Sequence, residues 1–436
     1  MNDYLTRLAA VLQVLFTTTA ERLGQATGFI RRRRRLTAAG FAQTLVFRWM
    51  AQPKATLESL ARDLRLSPQA LQQRLGPRAQ AFLRALLVEA LQKALKVPAE
   101  RLGLLNRFSA VVLEDTTTIA LPAALADEFP GCGGGTGAGE GAAALKILLR
   151  WDVRSGQVLA LSIHSGRTSD QTLGAEAADL PEDGLHLADQ GFFNSERWRA
   201  FSPRQFWISR VPARTLVYWQ GVWQSLSTLL AQGNVDCFDE AVLLVERAKL
   251  PCRLAARRCP EEIANRRRQK LRENTRSKKG REPSESQLQM CAWLVYATNT
   301  TAEQLGPREL WVVYRCRWQI ELLFKRAKQL AGWGSSWGRS GARVLVELYA
   351  KVLGLVVLHW GTLLGGGPLN GVSLWKRMCA VQDFARSLQD RLADGLQALT
   401  EVLTRLAGHL ARIRPQPKKQ KKASTRQLLL NPRLAP

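Results

Sequence analysis

The sequence is short of acid. Its 63 lysines and arginines face only 36 aspartates and glutamates, a formal net charge of +27. So large an excess draws a chain to polyanions, which leaves nucleic acid and anionic membranes as partner classes. Long apolar runs are missing too. The most apolar one, Ala350 to Leu364, is about 15 residues long and contains Lys351 and His359. It falls short of the ~20 residues that span a bilayer. The N-terminal run LAAVLQVLF is a poor secretion signal, given Asp3, Gln13 and the absence of a small-residue cleavage site. Its Leu5, Leu8, Ala9, Leu12, Leu15 and Phe16 recur at helical spacing instead.

Histidine is scarce. His164, His186, His359 and His409 show no paired metal spacing, which argues against a histidine-based nuclease or phosphodiesterase. The seven cysteines are odd in number and contain no Cys-x-x-Cys pair, which argues against a zinc ribbon and for a reducing cytoplasm. No Ser-His-Asp arrangement or reactive cysteine setting emerges. Glycine is concentrated in PGCGGGTGAGEG, Pro130 to Gly141. That stretch lacks the Lys-Ser/Thr ending of a phosphate-binding loop and the spacing of a dinucleotide turn, so it reads as a flexible loop. Nucleic acid in the cytoplasm is the expected partner, with no membrane.

What is present suggests roughly two to four domains and, at 46% apolar residues, an ample core. Residues 1–105 read as nearly all helix and basic. ATLESLARDLRLSPQALQQRL, Ala55 to Leu75, fits two short helices joined by a turn over 56–75, with Leu57, Leu60, Ala61 and Leu64 apolar, Ser67 as cap and Pro68 in the first turn. A helix-turn-helix with Gln69, Gln72, Gln73 and Arg74 on the reading helix is one account; an ordinary helical hairpin is the other. Arg31 to Arg35 is a candidate phosphate contact or a solvated helix face.

From about residue 106 the texture changes. SAVVLEDTTTIAL is a β-branched strand with Asp115 expected at its carboxyl end. ALKILLRWDVRSGQVLALSIHSG reads as a hairpin turning at Arg154-Ser155-Gly156. A helix, the strand GLHLADQGFF with Asp189 at its end, a helix and the strand RQFWISRV complete the skeleton of an RNase H-like core, a mixed five-stranded sheet with helices in the α/β class. Residues 106–213 and 301–340 would form it. Residues 214–300 read as a β-rich insertion with strands in LVYW, CFDEAVLLVERA and QMCAWLVYAT. From Asn265 to Arg281 it carries nine cations against one Glu, which reads as a mobile basic loop, 265–281, suited to phosphates. Residues 341–411 read as a helical C-terminal region. Residues 412–436, with eight cations and no acid, read as a disordered basic tail.

Metal-assisted phosphoryl transfer needs carboxylates that converge on divalent ions, and strand-end aspartates are one way to assemble them. Two such residues alone equally fit structural turns. A second pattern bears on the choice. YRCRWQIELLFKRAK, Tyr314 to Lys328, holds five cations and one acid. At ~100° per residue, Tyr314, Arg317, Glu321 and Lys328 fall within roughly a 60° sector of one helix face. A helical ion-pair ladder would give the same face.

Tyr-x2-Arg-x3-Glu-x6-Lys resembles the signature of the IS-four family of insertion-sequence transposases, a bacterial DDE cut-and-paste group. Leu113-Glu114-Asp115-Thr116-Thr117 and Ala188-Asp189-Gln190-Gly191-Phe192 resemble its two aspartate elements. The resemblance spans about residues 105 to 335. It implies a DNA transposase in which Asp115, Asp189 and Glu321 are the catalytic, metal-binding triad, with two Mg²⁺ ions expected and Mn²⁺ as substitute. Arg317 and Lys328 would hold transposon-end phosphates, Lys325 being a further candidate, and Tyr314 would touch the backbone near the cut. Trp293 matches the position of a tryptophan that replaces a flipped base in some members; a core aromatic is the other account. Gln190 departs from the family, where Arg is common, so one phosphate or orienting contact is in doubt. The implied partners are double-stranded DNA, as terminal inverted repeats and target, and a second copy in a synaptic homodimer, with residues 341–411 the candidate interface. A bacterial cytoplasmic protein, nucleoid-associated on DNA, is expected. The rival accounts are a transposase-derived DNA-binding protein without catalysis and a metal-dependent nuclease without strand transfer.

Overall fold

The computed structural model of the chain describes residues 2–32, 36–132, 141–175, 180–232, 236–333, 340–414 and 423–434. The glycine-rich stretch from Gly133 to Glu140 and Arg33 to Arg35 of the arginine run lie outside them. Among the described residues ten strands are interspersed with helices: β1 (Val111–Leu121), β2 (Ala143–Asp152), β3 (Val158–Ser165), β4 (Leu185–Ala188), β5 (Phe206–Arg210), β6 (Leu216–Trp219), β7 (Val222–Ser225), β8 (Cys237–Leu244), β9 (Leu250–Arg258) and β10 (Trp293–Thr298). The chain divides into two compact units. One comprises Met1–Glu100, Thr117–Arg167 and Gln319–Lys421, the other Arg101–Thr116, Thr168–Trp318 and Lys422–Pro436.

The first unit joins helices from both ends of the sequence. The helix Ala38–Ala51 starts where the Thr37 hydroxyl accepts from Gly40 N, and buries Phe41, Leu45, Phe47 and Trp49. Phe47 meets Phe16 at 5.0 Å and Phe82 stacks on Phe29 at 5.2 Å. Against this cluster lies Gly341–Thr362, which is buried on every face. It contains the apolar run that was too short for a membrane. Its polar residues are satisfied inside: Lys351 pairs with Glu347 at 2.7 Å and His359 Nε2 meets Gly156 O at 2.6 Å. Among the described residues no helix is long and apolar enough to cross a membrane. Most of residues 1–105, up to Glu100, and residues 341–411, read from sequence as separate regions, thus contribute to one core. Apolar faces identify that a helix packs, not which partner it meets.

The paired short helices are Leu57–Asp63 and Pro68–Arg74, capped by Thr56 on Ser59 N and Ser67 on Ala70 N. Leu60, Ala61 and Leu71 are buried, while Leu57 and Leu64 are only partly so. Gln69, Gln72, Gln73 and Arg74 are exposed. In this unit β2 and β3 form the expected hairpin, with Gly156 at φ 75° in its turn.

The second unit has the strand order β1-β4-β5-β10-β9-β8-β6-β7, and β1 also neighbours β2. β1, β4 and β5 are mutually parallel, and β10 runs antiparallel to both β5 and β9. β4 is buried at every position, as a central parallel strand must be. β1 runs past Asp115 to Leu121, so Asp115 is not at its carboxyl end. The β-branched Thr116, Thr117, Thr118 and Ile119 carry the strand onward. Asp115 instead marks the end of its pairing with β4, which stops at Glu114↔Ala188.

Three further expectations are corrected. The basic loop 265–281 is, through Lys279, part of a 19-residue helix, Glu261–Lys279. No Gly or Pro interrupts it, Glu261 and Glu262 face the positive end of its dipole, and Gly280 at φ 60° closes it. The pair Glu262–Arg266 at 2.8 Å adds i,i+4 support. β7 and β9 join the inserted strands; Pro251 and the charges of β9 hid its pattern. The tail 412–436 is not wholly disordered. Ser424 and Gln427 form a capping box that starts the helix Thr425–Leu430, and Leu428 and Leu429 are buried. This helix packs on the helix Pro307–Tyr314 and on the 3-10 turn Gly103–Arg107, so closely that Leu429 O leaves no room for a Cβ at Gly103. The excess of cations masked three consecutive leucines.

Candidate active site

Parallel strands place sequence-distant residues side by side at their carboxyl ends, where α/β sheets gather ligands. With Glu114 opposite Ala188, the next residues, Asp115 and Asp189, emerge from neighbouring strands that lie ~4.8 Å apart. Asp115 Oδ1 accepts from Thr116 N at 2.8 Å and Oδ2 faces Arg317 Nη1 at 3.5 Å. Asp189 Oδ1 accepts from the Tyr314 hydroxyl at 3.4 Å and faces Arg210 Nη1 at 3.9 Å. The same hydroxyl donates to Ala188 O at 3.1 Å. Tyr314 is buried against Tyr296, ring centroids 4.4 Å apart, and the Arg317 guanidinium lies 5.9 Å from its ring. Burial foremost, then the negative charge of Asp189, raises the Tyr314 phenol well above its ordinary pKa. It therefore acts as a hydrogen-bond donor at neutral pH.

The sequence signature is not one continuous helix. Pro307–Tyr314 ends at the tyrosine, Arg315–Arg317 makes a 3-10 turn, and Trp318–Ala331 begins anew. No glycine or proline announces that break, and it invalidates the single-face angle for all four residues. Tyr314 and Arg317 join Asp115 and Asp189 in the second unit. Glu321, Lys325 and Lys328 belong to the first. There Glu321 is half-buried and Lys325 exposed. Lys328 donates Nζ to Thr118 O at 2.9 Å, and burial lowers its pKa.

Arg210 and Asp170 escaped sequence reasoning. Arg210 follows Ser209, which pairs with Ala188 across β4 and β5, so the strand-end logic that found Asp189 also locates it. Thr116 Oγ1 donates to Asp170 Oδ1 at 2.9 Å. A Cβ at Gly191 would stand 3.2 Å from Asp170 Oδ2, a close fit that accounts for glycine there. No local signal marked Asp170 as part of the group.

Beside Asp189 opens a cavity of about 430 Å³, walled by Gln190, Arg210, Arg267, Lys270, Asn274 and Trp293 among others. Trp293 begins β10 and is buried. Arg258 lies 5.4 Å from its ring, and Arg267 Nη1 donates to its carbonyl at 3.2 Å. The wall is thus cationic, with one large aromatic.

Among the described residues, no three His, Cys, Asp or Glu side chains cluster so as to hold a metal ion. The carboxylates of Asp115 and Asp189 are nevertheless the hard oxygen donors that suit Mg²⁺, an ion that keeps several waters and needs few protein ligands. All seven cysteines are free, and His359 is buried with its pKa lowered to about 4, chiefly by desolvation.

Comparison with known proteins identifies the family. Residues 106–357, more than half of the chain, match the family described as Transposase DDE domain. The transposase of insertion sequence element IS231E from Bacillus thuringiensis subsp. finitimus is 25% identical over 434 residues, covering 90% of this chain and 88% of that protein. The IS231B transposase from Bacillus thuringiensis subsp. berliner is 26% identical over 88% and 87%. The IS1151 transposase from Clostridium perfringens is 22% identical over 82% and 80%. The chain belongs to the DDE transposase family and is an enzyme acting on DNA.

Proposed function

We propose that this protein is the transposase of a bacterial insertion sequence of the IS-four type, cutting element ends and joining them to target DNA. The observation that carries this reading is the pair Asp115 and Asp189, each the residue that follows the last pairing of β1 with β4, with Tyr314 and Arg317 in contact with them. The order β3-β2-β1-β4-β5 supports an RNase H-like core, with β6 to β10 as its inserted region. Asp115, Asp189 and Glu321 are the proposed metal carboxylates, Glu321 on the strength of the sequence signature. Two bound Mg²⁺ ions would supply a nucleophilic oxygen and charge neutralisation at the phosphate.

The chain's own residues hold that chemistry in place. Tyr314 orients Asp189 from a phenol that keeps its proton. Arg317 lies beside Asp115, where its guanidinium suits a phosphate oxygen. Lys325 and Lys328 are proposed as further phosphate contacts. Trp293, walling the cavity next to Asp189, is proposed to meet an unstacked base. The exposed face of Pro68–Arg74 is proposed to read the terminal repeats as the second helix of a helix-turn-helix, and two copies to synapse the two ends.

The test is to incubate the protein with its own element's ends in Mg²⁺ or in EDTA. Nicked and joined products in Mg²⁺ alone are expected, both lost in Asp115→Asn and Asp189→Asn. Binding without cleavage would refute catalysis and favour a DNA-binding derivative; cleavage without joining would favour a nuclease. A Glu321→Ala variant cutting at the parent rate would remove Glu321 from the site.

A further inference from the structure

Next to the carboxylates of Asp115 and Asp189 lies a charged group for which the proposed reaction has no use. Glu114, the residue before Asp115, is fully buried. Arg197, on the helix Ser195–Arg199, is 5% exposed and donates Nη1 to Glu114 Oε2 at 2.6 Å and Nη2 to Oε1 at 3.4 Å. His186 on β4, also fully buried, brings Nε2 to 3.3 Å from both Glu114 Oε2 and Arg197 Nη2. Trp198 packs over the histidine at 5.4 Å and stacks on Trp207 at 5.0 Å.

Stability gives no reason to keep such a group. Burying a carboxylate and a guanidinium costs as much hydration as their attraction returns, and well-packed apolar residues of similar volume often do as well. Its geometry is more informative. Glu114 immediately precedes the first aspartate on β1. Arg197 follows the second, beyond the 3-10 turn Gln190–Phe192. Asn194 fixes the start of the arginine's helix by accepting from Glu196 N and Arg197 N at 3.0 and 3.1 Å. The ion pair therefore ties the backbone entering Asp115 to the segment leaving Asp189, and His186 sits against the tie on β4, the strand that leads into Asp189.

We propose that Glu114 and Arg197, with His186 against them, are positioning residues that set the separation of the Asp115 and Asp189 carboxylates and so the affinity of this site for a divalent cation. The proposal rests on the metal-dependent reading above. Groups that orient metal ligands commonly change metal affinity or activity by about 10- to 100-fold when removed.

The deciding protein is the full chain carrying Glu114→Leu with Arg197→Met, which replaces the pair by apolar side chains and strands neither charge. Mn²⁺ binding to the complex with element ends is measured by electron paramagnetic resonance, alongside end binding in Ca²⁺ and cleavage in Mg²⁺. End binding should equal that of the parent, Mn²⁺ affinity should fall by about tenfold or more, and cleavage should slow by a similar factor. Parent-like Mn²⁺ affinity overturns the proposal, even with a lowered melting temperature, because the pair would then be structural only. Should the apolar pair fail to fold, Arg197→Lys decides: it keeps the charge but loses the two-point contact, and parent-like Mn²⁺ affinity again overturns the proposal. A parent protein that neither binds Mn²⁺ nor cuts DNA refutes the metal-dependent reading instead, so the two failures are distinguishable.

Discussion

Tyr314→Phe isolates one hydroxyl at the centre of the site. Its proton is shared between Ala188 O at 3.1 Å and Asp189 Oδ1 at 3.4 Å. Removing it leaves the buried Ala188 carbonyl without this donor, at a cost of about 1–3 kcal/mol in stability. A hydrogen bond to a charged acceptor contributes about 1.5–3 kcal/mol. The bond to Asp189 is long, and that side chain is 39% exposed, so a discounted value of ~1 kcal/mol is appropriate. If the phenol only orients Asp189, cleavage should slow by about fivefold, at ~1.4 kcal/mol per factor of ten. End binding should be unchanged, and the melting temperature should fall. The assay is single-turnover cleavage of a pre-bound element end, with melting followed by circular dichroism. Parent-rate cleavage would show that Tyr314 does not position Asp189. A loss beyond about a thousandfold would refute the reasoning from the other side. It requires ~4 kcal/mol, more than so long a bond supplies, and would make the phenol proton part of the reaction.

Two other outcomes follow from the packing. Burial holds His359 neutral, with its pKa lowered from 6.5 to about 4. The unfolded chain therefore binds a proton that the native state refuses between these values, and stability falls as pH drops from ~6.5 to ~4, by roughly 3 kcal/mol in total. Denaturant melts at stepped pH should show this slope in the parent and a shallower one in His359→Gln; parallel slopes would contradict the burial. Leu429→Ser should undock the helix Thr425–Leu430 from the turn at Gly103, because a fully buried leucine is lost and a hydroxyl gained. Hydrogen exchange should rise in both segments, and unchanged protection would contradict the docking.

Legibility from sequence tracked how local each signal was. The strands that carry Asp115 and lead into Asp189 were legible because their patterns lie within a few residues of each, although the point where β1 ends was not, and the caps Ser67 and Thr56 announce their own helices. The 3-10 break at Arg315–Arg317 was not legible, since nothing in those residues disfavours a continuous helix. In Glu261–Lys279 the density of cations outweighed helix propensity and terminal signals that were both present. The Glu114–Arg197 pair was invisible for a different reason. Each residue looks like an ordinary surface charge until the fold brings them together. The same holds for the helices at the two ends of the sequence, whose apolar faces are plain and whose partnership is tertiary.

The docking of Leu428 and Leu429 has a consequence for the order of synthesis. Domains usually fold from the N-terminus as they leave the ribosome. Here the helix that ends in Tyr314 and the turn at Gly103 wait for two leucines made more than a hundred residues later. Until then that side of the second unit exposes apolar surface. A growing chain therefore completes the packing around the helix Pro307–Tyr314 only after Leu428 and Leu429 have been made, more than a hundred residues beyond it.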